Sequence, residues 1–413
     1  MNRFILSIIL LLFCCICPTT AQQECGYVYE KNEKNEEIER FTEGYVRDFH
    51  TKARPRAVVK IPVVVHIIWR TAAGNISDAQ IRGQIDSLTK DFRKRNTDAS
   101  NIPTQKFRDL TADCEMEFCL ANRDTLGFPS TGIVRKQTNI LNFGEQLSAS
   151  VRRAYYSKLG GDDAWRPDRY LNIWVCEFSE GGILGYTSPL ANALTKPSED
   201  GCLINVQAFG INANNVIGRN KARTLVHEVG HYFNLLHIFG VDRTCNDDDE
   251  VADTPRQAWA NYGCSGLPAP VSCPNNGGDM YMNFMDYSYD ECVLMFTKGQ
   301  KSRMWATLDG YRSSLLLRGA ACDPFVATAS VVEPVWTIAP NPATSAFNIF
   351  LPDEWKYTPK TIQLVDAVGR VLVEKHENRE GGTFDVQNVP NGLYFVKIKV
   401  MNQVFVKKMS IVR

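Results

Sequence analysis

The 413-residue chain is 44% hydrophobic, contains only six histidines, and balances 46 Lys and Arg against 46 Asp and Glu. Its length allows two or three domains with buried cores. The cancelled charge excludes a general attraction to nucleic acid or to anionic membrane surfaces, so the composition describes a soluble globular protein.

Arg3 precedes an apolar run over residues 4–17, and Thr19, Thr20 and Ala21 provide a small-residue cleavage site before Gln22. This pattern predicts a secretory signal peptide over 1–21, too short and too early for a membrane span. Cys14, Cys15 and Cys17 raise a lipoprotein signal as the rival, but bulky Phe13 and Ile16 fit poorly beside a lipidated cysteine. Thirteen cysteines less these three leave ten in the exported chain, in an oxidising compartment where disulfides persist.

Residues 22–56 read as a propeptide. The stretch 29–40 is polar and charged, without the apolar content to fold alone. The basic segment Lys52-Ala53-Arg54-Pro55-Arg56 offers a processing site.

The character changes at residue 57. Residues 58–69 form a β-branched run suited to a buried strand, and Ser77 then caps a helical pattern through Ile81, Ile85, Leu88 and Phe92. Further strands are expected over 115–121, 170–176 and 202–208, ahead of a helix-compatible lead-in over 221–226. The alternation predicts an α/β layer architecture.

Residues 227–237 read HEVGHYFNLLH. On a helix, His227 and His231 leave the same face and can bind one zinc ion, with Glu228 beside the metal as a base. His237 reaches the same ion only if the backbone turns out of the helix near Asn234, and asparagine tolerates the left-handed conformation that this requires. Zinc held by three neutral imidazoles acidifies a bound water, whose proton Glu228 can accept and pass to a leaving nitrogen. The chemistry is that of a zinc peptidase.

Residues 241–317 are rich in Gly, Pro, Asn, Asp and Cys and are expected to be largely irregular. Asp247, Asp248, Asp249, Asp253 and the Thr254 oxygen are the hard ligands that calcium prefers. Residues 323–335 read as a linker. Beyond it, short alternating strands over 346–351, 361–365, 370–374, 393–400 and 404–411, with turns at 366–369 and 401–403, predict a small antiparallel β-sandwich.

The HExxHxxxxxH pattern, together with Asn283-Phe284-Met285-Asp286-Tyr287, resembles a metzincin zinc helix and Met-turn. The wording around residues 170–175, 251–255 and 292–297 is similar to the pappalysin family, and the resemblance spans about residues 57–322. Asn234 departs from the glycine that most metzincins carry there.

The resemblance implies a twisted mixed sheet, a zinc helix and an irregular lower half stapled by Cys245–Cys273 and Cys264–Cys292. It implies calcium near the active site, Met285 as an apolar base beneath the histidines, and Tyr287 as a donor to the oxyanion. Asp290 would border the pocket for the residue after the cleaved bond and favour Arg or Lys there. Cys25 would fill the fourth zinc position and keep a precursor latent. No pairing follows for Cys114, Cys119, Cys176, Cys202 or Cys322.

Ala339-Pro340-Asn341-Pro342, Asn391-Gly392-Leu393-Tyr394 and the basic ending Lys407-Lys408 through Arg413 resemble the C-terminal sorting domains of type IX secretion substrates. The expectation is therefore a signal peptide over 1–21, a propeptide over 22–56, a peptidase domain over 57–322, a linker over 323–335 and an Ig-like sorting sandwich over 336–413. The protein would be exported through the type IX machinery to the medium or the cell surface, without a transmembrane segment, and would cleave proteins or peptides before Arg or Lys. The alternative is a surface-anchored adhesion protein with a degenerate metzincin domain, which would have no need of the base at Glu228.

Overall fold

The computed structural model describes residues 25–51, 57–322 and 336–413, apart from 126, 128, 142, 144–145, 149–150, 179–181, 212–217, 353–354, 356–359, 367–368, 378–380 and 401–402. The expected signal peptide over 1–21, the basic segment 52–56 and the expected linker over 323–335 lie outside the described residues. The chain divides into two compact units, Met1–Asn122 with Ser130–Asp323 and Arg123–Pro129 with Pro324–Arg413. No helix among the described residues is long and apolar enough to cross a membrane.

The first unit is organised by the strand Val59–Trp69, eight consecutive residues of which are buried. A run buried on both faces suits a parallel sheet covered on both sides. It pairs in parallel with Met116–Leu120, with Ile133–Gln137 and with Leu171–Cys176. Leu171–Cys176 is followed by the parallel strand Gly201–Asn205 and then by the antiparallel edge strand Gly185–Thr187. Mixed sheet and helices form the metzincin-like α/β unit.

Helix Asp78–Phe92 starts where the Ser77 side chain accepts from the Gln80 N–H, and buries Ile81, Ile85, Leu88 and Phe92. Those residues recur at helical spacing, so one stripe meets the sheet. The strand expected over 202–208 is shorter. Asn205 accepts from the Gln207 N–H and opens a 3-10 turn over Val206–Ala208, so the last three residues leave the ladder.

A larger correction concerns residues 29–40. Residues 33–40 open a helix, Glu33–Thr51, that is docked on the first unit and does not stand alone. Ile38 is buried, Phe41 packs edge-on against Tyr311, and Glu39 makes a two-pronged ion pair with Arg303 at 2.7 and 2.6 Å. Few apolar residues suffice because the partner surface supplies most of the burial.

The segment between the histidine helix and helix Lys298–Asp309 has no strand or helix of length and is stapled by Cys245–Cys273 and Cys264–Cys292. A third disulfide, Cys119–Cys322, bridges 203 positions of sequence. Cys25, Cys114, Cys176 and Cys202 are free and buried.

The second unit has two antiparallel sheets. One orders Thr383–Asp385, Ala346–Phe350 and Thr337–Ala339; the other orders Val371–Glu377, Lys360–Val365, Gly392–Val400 and Gln403–Ile411. The core between them includes Trp336, Phe347, Ile362, Phe384, Val396 and Met409. Two strands, Thr337–Ala339 and Thr383–Asp385, escaped the sequence reading because three residues are too few to show alternation.

Candidate metal centre

The histidine helix runs from Arg223 to Tyr232 and is buried along its whole length. It begins two residues later than the lead-in suggested, for an electrostatic reason. The Asp290 carboxylate accepts from the backbone N–H groups of Lys221 (2.9 Å) and Arg223 (3.2 Å), anchoring the free N-terminal donors, while Ala222 takes a φ of 68°. At the other end Asn234 adopts a φ of 66°. The Asn234 N–H donates to the His231 carbonyl and the Leu235 N–H to that of Gly230, closing the helix and returning the chain toward His237.

The three imidazoles converge. Their Nε2 atoms lie 3.1 Å apart for His231 and His227, 3.1 Å for His231 and His237, and 3.3 Å for His227 and His237. Three nitrogens bound tetrahedrally to zinc at about 2.0–2.1 Å would be separated by about 3.3 Å. The remaining ring nitrogens fix the tautomers. His227 Nδ1–H donates to the Phe284 carbonyl and His231 Nδ1–H to the Leu235 carbonyl, each at 2.7 Å, leaving the Nε2 lone pairs for a metal. Burial holds His227 neutral, its pKa pushed down to about 4, and burial with the mutual proximity of the rings pushes His231 well below the usual imidazole range.

Cys25 completes the group, its Sγ within 4.8 Å of all three histidine nitrogens. It reaches them because its segment lies along the edge strand, with Cys25 bridged in parallel to Gly185 and the Gly26 N–H donating to the Gly185 carbonyl at 2.9 Å. Tyr27 stacks on the His231 ring at 3.9 Å. Burial, with the Glu228 carboxyl beside it, raises the Cys25 pKa, which only a cation close by would reverse. One thiolate and three imidazoles form a donor set that suits zinc.

Glu228 is fully buried, and desolvation pushes its pKa up to about 7 against the stabilising hydrogen bond from Thr187. Tyr287 places its hydroxyl 3.2 Å from His237 Nε2. Met285 lies under the helix: a Cβ added to Gly230 would come within 2.5 Å of its Sδ. Asp290 lines the cleft with Cys25, Thr224, His227, Glu228 and Tyr287. Its charge is shared, however, because Arg219 approaches within 3.4 Å in addition to the two helix N–H groups.

The acidic loop is less convergent. Asp247 accepts from the Val241 and Asp242 N–H groups, Asp248 pairs with Arg256, and Asp253 accepts from the Thr297 hydroxyl and the Gly299 N–H. Asp249 differs: Oδ1 accepts from the Thr254 hydroxyl at 2.6 Å, while Oδ2 is buried without a hydrogen-bond partner. Burial pushes its pKa up to about 8. Among the described residues the only acid, histidine and cysteine group arranged to hold a metal is Cys25 with the three histidines.

Arg219, Thr187, Gly185, Tyr27 and Arg303 escaped the sequence reading. Each acts through a partner far away in sequence, so no local motif marks it.

Comparison with known proteins agrees with this geometry. Residues 154–309 match the peptidase M43 family model described as pregnancy-associated plasma protein-A, and residues 337–412 match a secretion system C-terminal sorting domain. An extracellular metalloprotease of Pyricularia oryzae is 43% identical over 273 residues, covering 64% of this chain and 80% of that protein. The mature Tannerella forsythia mirolysin in complex with a cleaved peptide superimposes with a TM-score of 0.61 at 40% identity, covering 65% of this chain and all of that one. A Tannerella forsythia promirolysin mutant does so at 0.63 and 36% identity, covering 73% of this chain and 100% of that one. The chain belongs to the pappalysin family of zinc metalloendopeptidases, and it is an exported member whose second unit is a type IX sorting domain.

Proposed function

We propose that the protein is a latent endopeptidase in which His227, His231 and His237 hold zinc, Glu228 is the general base, and cleavage falls before Arg or Lys. The observation that carries this reading is the convergence of three Nε2 atoms at 3.1–3.3 Å beside a buried carboxyl. Zinc held there would supply Lewis acidity for the attacking water and the scissile carbonyl. Glu228 takes a proton from the attacking water and delivers it to the departing amine nitrogen, a transfer matched to a carboxyl whose burial has raised its pKa toward neutrality. Tyr287 donates its hydroxyl proton in a hydrogen bond to the developing oxyanion. The test is metal analysis beside peptide hydrolysis: His237→Ala is expected to lose bound zinc and activity together. Full activity in zinc-free protein would overturn the reading.

In the same proposal residues 22–56 are a propeptide released by cleavage within 52–56, residues 57–322 are the peptidase domain, and 323–335 link it to the sorting domain over 336–413. Cys25 is the latency ligand. A structural calcium is supported by Asp249, whose partnerless buried oxygen and Thr254 contact suit a cation, with Asp248 and Asp253 in the same acidic loop.

Asp290 supports the specificity. It borders the cleft, and a substrate guanidinium or ammonium would make a charge-assisted bond to it. Asp290→Asn is expected to reduce the preference for Arg and Lys after the scissile bond by about ten-fold, read by mass spectrometry of digests. Zinc content is measured alongside, because Asp290 also holds the start of the histidine helix. A wild-type enzyme preferring large apolar residues at that position would exclude the assignment.

A further inference from the structure

We infer that Thr187 is a positioning residue that fixes the carboxyl of Glu228 from the edge strand, an inference that rests on the proposed role of Glu228 as the base. Gly185–Thr187 is three residues long and pairs with Gly201–Asn205 on one side only. On its other side the Gly185 carbonyl receives the chain lying in the cleft. The strand is therefore at once the rim of the cleft and the end of the sheet.

Alternation along a strand sends residues i and i+2 to the same face. Gly185 and Thr187 both meet Glu228, whereas Tyr186 carries the Arg152 guanidinium on its ring at 3.9 Å. Gly185 matters for what it lacks. A Cβ there would lie 2.5 Å from Glu228 Oε1 and 2.6 Å from its Cγ, so any side chain would displace the carboxyl. Thr187 matters for its hydroxyl, which is 2.8 Å from Glu228 Oε2 and 3.0 Å from the Glu228 carbonyl.

A hydroxyl has one proton to give. Its neighbours are Oε2, that carbonyl and the Cys202 sulfur at 3.5 Å. The carboxylate oxygen is the nearest and, when ionised, the strongest acceptor, while a thiol sulfur accepts weakly. Thr187 has no exposed surface, so water does not compete for this bond. One carboxyl oxygen is thereby anchored. The other, Oε1, takes no hydrogen bond from the sheet or the helix; the Cys25 thiol stands beside the carboxyl in the precursor, and its departure opens the carboxyl for proton transfer. A glutamate side chain has several rotatable bonds, and holding one oxygen selects the rotamer that a reaction needs.

The test uses the full chain after activation. Thr187→Val keeps the β-branched shape and removes the hydroxyl; Thr187→Ser keeps the hydroxyl and removes a methyl group. Thr187→Val is expected to lower kcat about ten-fold or more while KM and zinc per folded molecule hold steady. Thr187→Ser is expected to restore turnover toward wild type. If Thr187→Val folds poorly, Thr187→Ala is read by the same criteria. Wild-type kcat in the hydroxyl-free variant would overturn the inference, as would equal losses in Val and Ser variants, which mark packing alone. Glu228→Ala run in parallel separates the two readings: an active Glu228→Ala removes the base itself, whereas an inactive Glu228→Ala beside a fully active Thr187→Val removes only the positioning role.

Discussion

Glu228→Ala is expected to bind zinc as the parent does and to lose peptide hydrolysis by about a hundred- to ten-thousand-fold. Ligation and proton transfer belong to different side chains. The three Nε2 atoms converge without help from Glu228, and two of the rings are oriented by backbone carbonyls of Phe284 and Leu235 that the substitution leaves alone. Truncation also removes a buried ionisable group and leaves Thr187 without its nearest acceptor, so a small change in thermal stability accompanies the loss. Metal content and turnover measured on one sample decide the matter. Retained activity with full zinc would exclude a general-base role.

The second large effect is expected in the precursor, where Cys25→Ala should hydrolyse peptides at least about ten-fold faster than the uncleaved wild type, since the thiolate is the ligand proposed to close the metal site. The gain will be incomplete. The segment is held at further points besides Cys25: Gly26 on the Gly185 carbonyl, Tyr27 on the His231 ring, Glu39 on Arg303 and Phe41 on Tyr311. Arg303 also donates to the Asn234 carbonyl at 2.7 Å, so the docked helix bears on the turn that brings His237 to the metal site.

Adding Glu39→Ala breaks a partly buried ion pair by removing one partner, which leaves the buried Arg303 guanidinium without its carboxylate and weakens the docking of the helix. The doubly substituted precursor is therefore expected to shed its helix and to process faster than Cys25→Ala. Hydrolysis of a small peptide by purified precursors, with autolysis followed by mass, gives the ranking. A Cys25→Ala precursor that carries zinc and remains as inert as wild type would remove the thiolate from latency.

Much of the site is written within eleven consecutive residues. The four-residue spacing of His227 and His231 follows the helical period, and Asn234 marks the point where that period must end, because a left-handed residue suits asparagine. The buried strand Val59–Trp69 and helix Asp78–Phe92 are equally local, each announced by its own hydrophobic period and, for the helix, by the Ser77 cap. These features depend on neighbours a few residues away, so the sequence by itself determined them.

Only the tertiary structure decided the rest. Residues 29–40 lack the apolar content to fold alone, and the helix Glu33–Thr51 is held by distant partners, among them Arg303, 264 positions from Glu39, and Tyr311 against Phe41. Cys119 finds Cys322 across 203 positions, and Thr187 finds Glu228 across 41. Asp290 combines a place in the cleft with a hold on the helix start, two roles that no spacing rule joins. Such pairings carry no period in the sequence. They arise when the parallel sheet and the histidine helix pack, because burial then forces each polar group to take the partner that the fold places within reach.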